Sequence, residues 1–475
     1  MKRASGVLMH ISSLPGEYGI GSLGKSAREF ADLLKAGGFK YWQTLPINEP
    51  DECNSPYKSS SAFAGNPAFI DLEELGLLSP DELDEVKQTK PYLCEFEMIN
   101  VTRIPLLKKA FLRVDRKITG QIKRFVALNP WVVEYAEFKA LKVANKDAPW
   151  QEWTCLTPNK EDVDFYCFLQ YEFFRQWKKL KDYVNKVGIE IIGDMPFYVA
   201  LDSADVYYNR ELFQLNISGE AIVESGVPPD YFTKDGQAWG NPIYNWDVMK
   251  KDNYQWWSKR INHSLKMFDK VRIDHFRGFS EYWAIPKGKK PVDGKWRKGP
   301  GMDFFEKIEM PDGIIAEDLG DINEKATKLL EKTGFPGMRV FQFGFTDDKD
   351  NEHLPHNYVN NSVAYTGTHD NNTLLAWLWE LDSQTRERMF KYCGFCGEKW
   401  EDGIGTIIGT LYQSSAGMLI LPIQDLCGFG SDTRMNTPGS KDNNWAFRVT
   451  VEQLASLDMS WFLDMNKLYK RWSEK

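Results

Sequence analysis

Residues 270–279 read KVRIDHFRGF, a short β-like run that leads directly into charged and polar side chains. Two guanidiniums, a carboxylate and an imidazole follow one another, from Arg272, Asp274, His275 and Arg277. A structural salt bridge at a strand end is one explanation for Arg272 and Asp274. Period two along a strand places these two side chains on the same side, so the guanidinium can also keep the carboxylate ionised for chemistry.

Seven further runs of this kind occur along the chain, and each ends near a polar residue. Several are near-continuous Val, Ile and Leu, which is typical of strands buried on both faces of a parallel sheet. Helical patterns separate many of the runs, at 24–38, 245–268, 323–334 and 371–380. This alternation predicts an α/β fold, the (β/α)8 TIM barrel. The predicted strands are SGVLMH (5–10), FKYWQTLPI (39–47), GIEIIGD (188–194), KVRID (270–274), GIIAED (313–318), GMRVFQF (337–343), SVAYTGTHD (362–370) and GMLILPIQD (417–425).

The spacing of these predicted strands is uneven. About 140 residues separate the second strand from the third, far more than a loop needs, and they carry helical patterns of their own. This stretch predicts an inserted, mostly helical subdomain at 51–188. A second excursion, at 197–245, is rich in Gly, Pro and aromatic residues and predicts an inserted loop subdomain after the third strand. We therefore expect one catalytic barrel domain, 1–475, with both insertions on its carboxyl-end face.

Polar side chains at the strand ends would converge, because the carboxyl ends of barrel strands face one shared cavity. Three carboxyls and an arginine there suit a retaining glycosidase-type reaction, in which a carboxylate attacks and a second carboxyl, about 5 to 5.5 Å away, donates and later removes a proton. Acidic residues in other barrel enzymes often hold a divalent metal instead. The converging set would be Asp194, Arg272, Asp274, Glu317, His369 and Asp370.

Glu317 follows the apolar run GIIA, which should raise its pKa and favour the protonated acid, while Asp318 should point the other way along the pleat. Two structural alternatives stay open. Glu317 could be an acidic residue in the first turn of a helix. His369 and Asp370 could belong to an N-cap run for the helix that follows, which Asp370 and Asn371 would suit.

The totals exclude several classes of function. A net charge of −8 and a pI near 5.5 leave no basic footprint for nucleic acid. No window approaches the roughly 18 to 20 apolar residues that span a bilayer, and the apolar run among the first residues is too short for a signal peptide. We therefore expect a cytoplasmic protein without a membrane partner. The pair Cys393 and Cys396 could bind zinc, but no second pair of ligands stands close by. We predict no metal and no cofactor, and the sequence does not predict the oligomeric state.

Four short segments resemble the conserved regions of the α-amylase clan, in their order and at their strand ends. Three more are similar to segments of the 4-α-glucanotransferases called amylomaltases or disproportionating enzymes, and together the matches cover essentially the whole chain. The first region lacks the Asn-His found in many α-amylases, so the resemblance implies no calcium and disfavours a plain amylase. The clan segments are GDMPFYV (193–199), VRIDHFRGF (271–279), IIAEDLG (314–320) and YTGTHDNNT (365–373), and the narrower ones are NSPYKSSSAFAGNP (54–67), GVPPDYFTKDGQAWGNPIYNW (226–246) and RMNTPGSKDNNW (434–445).

The resemblance implies transfer of α-1,4-glucan segments between maltooligosaccharides by a retaining double displacement. It implies that Asp274 is the nucleophile, that Glu317 is the general acid/base and that Asp370 stabilises the transition state. The other residues that it assigns are Arg272 holding Asp274, His369 on the same sugar, Asp194 beneath the site, Tyr57 as a stacking platform on the donor side and Trp239 in the loop that covers the acceptor.

Two other functions remain as alternatives. A hydrolase of the same clan would use the same carboxyls, and a loop-covered aromatic acceptor site that excludes water is what favours transfer over hydrolysis. A glucan-binding protein without catalysis would have lost one of the three carboxyls, and all three are present. Tyr57 and Trp239 could also be ordinary packing residues, as most aromatic side chains in loops are.

Overall fold

The structure is a computed structural model, and it describes every residue except 52, 230–234, 309–311, 321–322, 347–350, 398, 400–401, 441–442 and 473–475. Within these described residues the chain forms twelve β-strands. They are β1 (Ala4–Leu8), β2 (Tyr41–Gln43), β3 (Glu190–Met195), β4 (Val223–Val227), β5 (Gln237–Pro242), β6 (Lys270–Ile273), β7 (Glu281–Pro286), β8 (Lys295–Lys298), β9 (Ile314–Ala316), β10 (Gly337–Val340), β11 (Ser362–Tyr365) and β12 (Met418–Pro422).

Eight of these strands form one parallel sheet, in the order β10-β11-β12-β1-β2-β3-β6-β9. The two edge strands of that sheet approach each other where the N–H of Ala316 donates to the carbonyl of Pro336 at 2.9 Å, so the sheet curls into a barrel. Each of the eight strands is buried at every position or at all but one, as their apolar sequences require. The predicted (β/α)8 barrel is confirmed, and each barrel strand overlaps one of the eight predicted runs, although β1 begins one residue before its run and β3 ends one residue after it.

Eighteen α-helices lie in the described part of the chain. α1 buries Ala27, Phe30, Ala31 and Leu34, the i, i+3, i+4 and i+7 positions of one apolar face. The helices are α1 (Lys25–Ala36), α2 (Leu72–Leu75), α3 (Pro80–Asp84), α4 (Phe96–Phe111), α5 (Arg116–Leu128), α6 (Trp131–Ala144), α7 (Lys160–Lys186), α8 (Ala204–Tyr208), α9 (Trp246–Lys251), α10 (Gln255–Met267), α11 (Met302–Lys307), α12 (Glu324–Thr333), α13 (Leu374–Glu380), α14 (Ser383–Cys393), α15 (Gly403–Gln413), α16 (Ile423–Leu426), α17 (Val451–Ala455) and α18 (Met459–Leu468).

Helix ends follow the local chemistry of the chain in most places. In α12 the Asn323 side chain accepts a hydrogen bond from the N–H of Ala326, and Gly334 ends the helix at φ 70°. The predicted helix at 245–268 is instead two helices, α9 and α10. They separate at Asn253 and Tyr254, both at φ 57°, because a right-handed helix cannot continue through left-handed residues.

The excursion at 197–245 contains α8, β4 and β5. Together with β7 and β8 these two strands form a second, four-stranded antiparallel sheet in the order β5-β4-β7-β8. The sequence predicts a loop here, and it does not predict the sheet, because β7 and β8 lie beyond the excursion and supply half of it. The stretch at 51–188 carries α2 to α7, and its division from the barrel as a subdomain stays a prediction.

None of the helices among the described residues is long and apolar enough to cross a bilayer.

Candidate active site

A cleft of about 830 Å³ opens at the carboxyl ends of the barrel strands. It is the place where the predicted site residues come together. Asp194 lies beneath the cleft, buried against its floor. The other seven line it: Tyr57, Trp239, Arg272, Asp274, Glu317, His369 and Asp370.

Arg272 is the centre of the cleft floor. Asp194 on β3 stands opposite Arg272 on β6 in the parallel ladder, and Nη1 of Arg272 lies 2.7 Å from both carboxylate oxygens of Asp194. Nη2 donates to Oδ1 of Asp274 at 3.0 Å. Burial alone would lower the pKa of Arg272, but the two carboxylates raise it well above its usual value. The predicted pair of Arg272 and Asp274 is therefore one side of a triad in which Asp194 makes the larger contact.

Glu317 lies next to Asp274, at the end of β9. Its Oε2 accepts the N–H of His275 at 2.6 Å, and its Oε1 accepts the N–H of Leu319 at 2.8 Å. Burial raises the pKa of Glu317 to about 7; Arg272 opposes this rise and Asp274 adds to it. The predicted direction of the shift agrees with the structure, although the carboxyl is held by backbone N–H groups rather than by apolar contacts alone.

The backbone next to the two carboxyls is unusual. His275 has φ 46° and ψ 50°, a left-handed conformation that a side chain with a Cβ rarely adopts. This conformation turns the chain out of β6, so that the N–H of His275 meets Glu317 and the N–H of Phe276 donates to the carbonyl of Glu317 at 3.0 Å. Such local strain is often found where a site needs one fixed geometry.

Asp318 points away from Glu317, as the pleat predicts. Its Oδ1 accepts the N–H of Met338 at 2.6 Å, and its Oδ2 lies 3.0 Å from Nη1 of Arg339. Asp318 therefore helps to join β9 to β10. It has a structural partner on that side, while Glu317 faces the cleft.

Asp370 stands at the rim with a side chain that is 47% exposed. Its Oδ1 accepts from the amide of Asn436 at 2.6 Å, and its carbonyl accepts from Nη2 of Arg434 at 2.6 Å. The N-cap of α13 is Thr373, whose hydroxyl accepts the N–H of Ala376. The alternative that Asp370 caps this helix is therefore wrong, because three residues separate it from the helix start.

Tyr57 packs on His369 with the two rings 4.8 Å apart and 16° from parallel. The hydroxyl of Tyr57 donates to Oδ2 of Asp194 at 2.7 Å and lies 3.3 Å from Nδ1 of His369. Trp445 supports both rings, at 5.9 Å from Tyr57 and 5.8 Å from His369. Tyr57 thus connects the start of the 51–188 stretch to the Arg272 triad.

Trp239, on β5, forms another part of the cleft wall. Its ring meets the ring of His275 edge-on at 5.1 Å and lies 6.1 Å from Tyr198. Burial lowers the pKa of His275 to about 4, so this imidazole is neutral at neutral pH. Residues 230–234 of the segment predicted to cover the acceptor lie outside the described residues.

Asn436, Arg434 and Trp445 are the site residues that sequence reasoning does not single out. All three belong to RMNTPGSKDNNW, the last segment of the resemblance. That segment could have pointed to them, but the resemblance assigns no role to its individual residues. Residues 441 and 442 of that segment lie outside the described residues.

Metal binding finds no support in the cysteine pair. Cys393 is half-buried and Cys396 is exposed, and both are free thiols. Over the part of the chain that the structure describes, no three His, Cys, Asp or Glu side chains are grouped as metal ligands.

Three carboxyls and a fixed arginine in an aromatic-walled cleft at the mouth of a barrel define a class, the carbohydrate-active enzymes built on (β/α)8 barrels. The chain matches the Glyco_hydro_77 family model, described as 4-alpha-glucanotransferase, over residues 9–453. It therefore belongs to the 4-alpha-glucanotransferase family and is an enzyme with that activity.

The similarity to known proteins extends over the whole chain. A 4-alpha-glucanotransferase of Streptococcus pneumoniae serotype 4 is 42% identical over 500 residues, which covers 100% of this chain and 98% of that protein. One from Clostridium butyricum is 44% identical over 469 residues, or 93% of this chain and 95% of that protein. The solved structure of amylomaltase from Streptococcus agalactiae in complex with acarbose has a TM-score of 0.95 and 38% identity, and covers 99% of this chain and 100% of that one.

Proposed function

We propose that the chain transfers α-1,4-glucan segments between maltooligosaccharides through a covalent glucosyl-enzyme intermediate. Asp274 is the nucleophile, Glu317 is the general acid/base and Asp370 stabilises the transition state. One observation carries this proposal: Arg272 holds one carboxylate beside a second carboxyl whose pKa burial raises to about 7. The first group contacts a guanidinium and its neighbour can carry a proton at neutral pH, which suits the nucleophile and the acid/base of a retaining mechanism.

In the first half-reaction the protonated Glu317 gives its proton to the glycosidic oxygen. An oxygen of Asp274 attacks the anomeric carbon, the glycosidic bond breaks and a β-glucosyl ester forms. The N–H groups of His275 and Leu319 bind the carboxylate that remains on Glu317, so they stabilise the charge that appears as the proton leaves.

In the second half-reaction a sugar 4-hydroxyl enters as the acceptor. Glu317 takes its proton, the hydroxyl oxygen attacks the anomeric carbon and the ester to Asp274 breaks. Water competes for the same intermediate, and the better positioned nucleophile prevails. The aromatic wall of Trp239, Tyr198 and His275 supports transfer, because an acceptor sugar can pack against these rings and a water molecule gains no comparable contact from them.

The opposite side of the cleft would bind the glucosyl ring that is transferred. Asp370 is fixed by Asn436 and Arg434 with its second carboxylate oxygen left to sugar hydroxyls. His369 would bind the same ring, and Tyr57 would be the donor-side platform. We propose acarbose as a ligand of this cleft by analogy with the Streptococcus agalactiae structure.

The cellular setting follows from the charge and from the substrate. A net charge of −8 gives no attraction to nucleic acid or to anionic membrane surfaces. We place the enzyme in the cytoplasm, acting in the metabolism of starch, glycogen and maltodextrins.

Incubation with maltotriose should produce glucose together with a ladder of longer maltodextrins. Transfer conserves the number of reducing ends, since each bond broken is matched by a bond formed. Chromatography of the products with a reducing-end assay measures both quantities. Reducing ends that accumulate without longer products would establish hydrolysis and remove the transferase mechanism.

Activity should also fall with rising pH because of Glu317. Its proton is needed in the first half-reaction and is lost above a pKa of about 7, so kcat/KM for maltotriose should fall about ten-fold per pH unit above that value. α-Maltosyl fluoride needs no proton on its leaving group and is the matched control donor. The same alkaline fall with both donors would assign the limb to another group.

A further inference from the structure

A single buried carboxylate holds both ends of the loop that carries Asp370. The loop, residues 367–373, connects β11 to α13. Asp425, which is 3% exposed, lies on the short helix α16 directly after β12. Its Oδ2 accepts the hydroxyl of Thr366, the residue before the loop, and its Oδ1 accepts the N–H of Leu374, the residue after it, at 2.7 Å.

The neighbour of Asp425 supports the second segment that reaches Asp370. The amide of Gln424 donates to the carbonyl of Thr433 at 3.2 Å, directly before Arg434. Arg434 in turn donates to the carbonyl of Asp370 at 2.6 Å, and Asn436 donates to its carboxylate. Two consecutive residues of one turn therefore anchor the backbone on either side of the Asp370 carboxylate.

The loop lies over a small cavity. A space of about 30 Å³, large enough for about one water molecule, separates the loop from the ends of β1 and β12. Side chains therefore leave part of the space beneath the loop unfilled, and hydrogen bonds contribute to its position there. Gln342 adds one such bond, from its amide to the carbonyl of Asn372 at 2.9 Å.

We propose that Asp425 is a positioning residue for the transfer reaction, which sets the place of Asp370 by binding Thr366 and Leu374 at the two ends of its loop. The inference rests on the role of Asp370 in the proposed function. A displacement of about 1 Å at a reacting centre can cost about 100-fold in rate while ground-state binding persists. Loss of the Asp425 contacts therefore lowers kcat more than it raises KM.

Thr366 provides the mildest test, with assays at pH 7.5, where the Asp425 carboxylate is ionised because burial raises its pKa only to about 6. Thr366→Val keeps the shape of the side chain and removes the hydroxyl, and we expect kcat for maltotriose to fall about ten-fold with KM changed less than about two-fold. Thr366→Ser restores the hydroxyl and should recover most of kcat. Asp425→Asn should lower kcat about 100-fold.

A merely structural role predicts a different pattern. Glu172, a buried carboxylate that pairs with Arg175 on α7, does not line the cleft, and Glu172→Gln is the matched control for lost stability with kcat unchanged. Unchanged kcat in Thr366→Val, or a rise in KM with kcat unchanged, overturns the inference. The two Thr366 variants, Thr366→Val and Thr366→Ser, decide the matter even if Asp425→Asn does not fold.

Asp370→Asn separates the inference from the mechanism on which it rests. An inactive Asp370→Asn enzyme beside fully active Thr366 and Asp425 variants removes the inference alone, whereas an active Asp370→Asn enzyme removes the proposed role of Asp370. Residual turnover of the double variant completes the cycle. Thr366→Val should lower kcat in the native chain and add no further loss of kcat in Asp370→Asn, because coupled residues are not additive.

Discussion

Asp274→Asn should abolish turnover, with kcat for maltotriose reduced about 10⁴-fold or more. An amide nitrogen or oxygen is a poor nucleophile toward the anomeric carbon, so the glucosyl ester cannot form. The variant should fold, because Arg272 keeps both of its contacts to Asp194 and no buried charge is left without a partner. Kinetics with maltotriose and thermal unfolding of the same preparation measure the two effects separately.

Asp303 offers a matched control for this substitution. Its side chain is 32% exposed and that of Asp274 is 28% exposed, and both carboxylates accept hydrogen bonds from neighbouring side chains. Asp303 lies on α11, outside the residues that line the cleft. Asp303→Asn should keep full activity. More than about 1% of native turnover in a pure Asp274→Asn preparation would assign the nucleophile to another group.

Glu317→Gln should slow both half-reactions, by about 10² to 10⁴-fold, since one carboxyl serves as the acid and then as the base. An α-maltosyl fluoride donor needs no acid, so its first step should persist and the covalent maltosyl-enzyme should accumulate to a level visible by mass spectrometry. The Gln amide has one oxygen for the two N–H groups that now bind Glu317, so part of the loss reflects a displaced side chain.

Azide distinguishes these two contributions. In Glu317→Ala the removed side chain leaves room beside Asp274, and azide attacks the intermediate without a general base. Turnover of the fluoride donor should rise with azide concentration and yield α-maltosyl azide, because two inversions give net retention. An enzyme that stays inactive with azide would show that Glu317 does something other than proton transfer.

The barrel could be predicted from the sequence because its strands and helices are each indicated by a pattern within a short segment. Each barrel strand is a short apolar run that ends at a polar residue, and α1 shows its buried face at helical spacing. The second sheet could not be predicted in this way. β4 pairs with β7 although β6 lies between them in the chain, and nothing in either run indicates a partner so far away in sequence.

The site was predictable to the level of residues and not of contacts. Asp194, Arg272 and Glu317 stand at strand ends, where barrel geometry alone brings them to one cavity. Arg272 contacts both carboxylate oxygens of Asp194 because the register of β3 and β6 places the two residues opposite each other. A shift of one residue in that register would have given Arg272 a different partner. Asn436 reaches Asp370 from a segment far along the chain, which only tertiary structure determines.

The left-handed turn at His275 has a consequence for how this enzyme can diverge. Backbone hydrogen bonds join the turn after Asp274 to Glu317 across two adjacent strands, and strands lie about 4.8 Å apart, near the about 5 to 5.5 Å that separates the carboxyls of retaining enzymes. In the retaining mechanism that we propose, this main-chain spacing sets the distance between the two carboxyls and so the anomeric configuration of the product. Changes in the walls and insertions would then alter which glucans the cleft accepts, while the new linkage stays α.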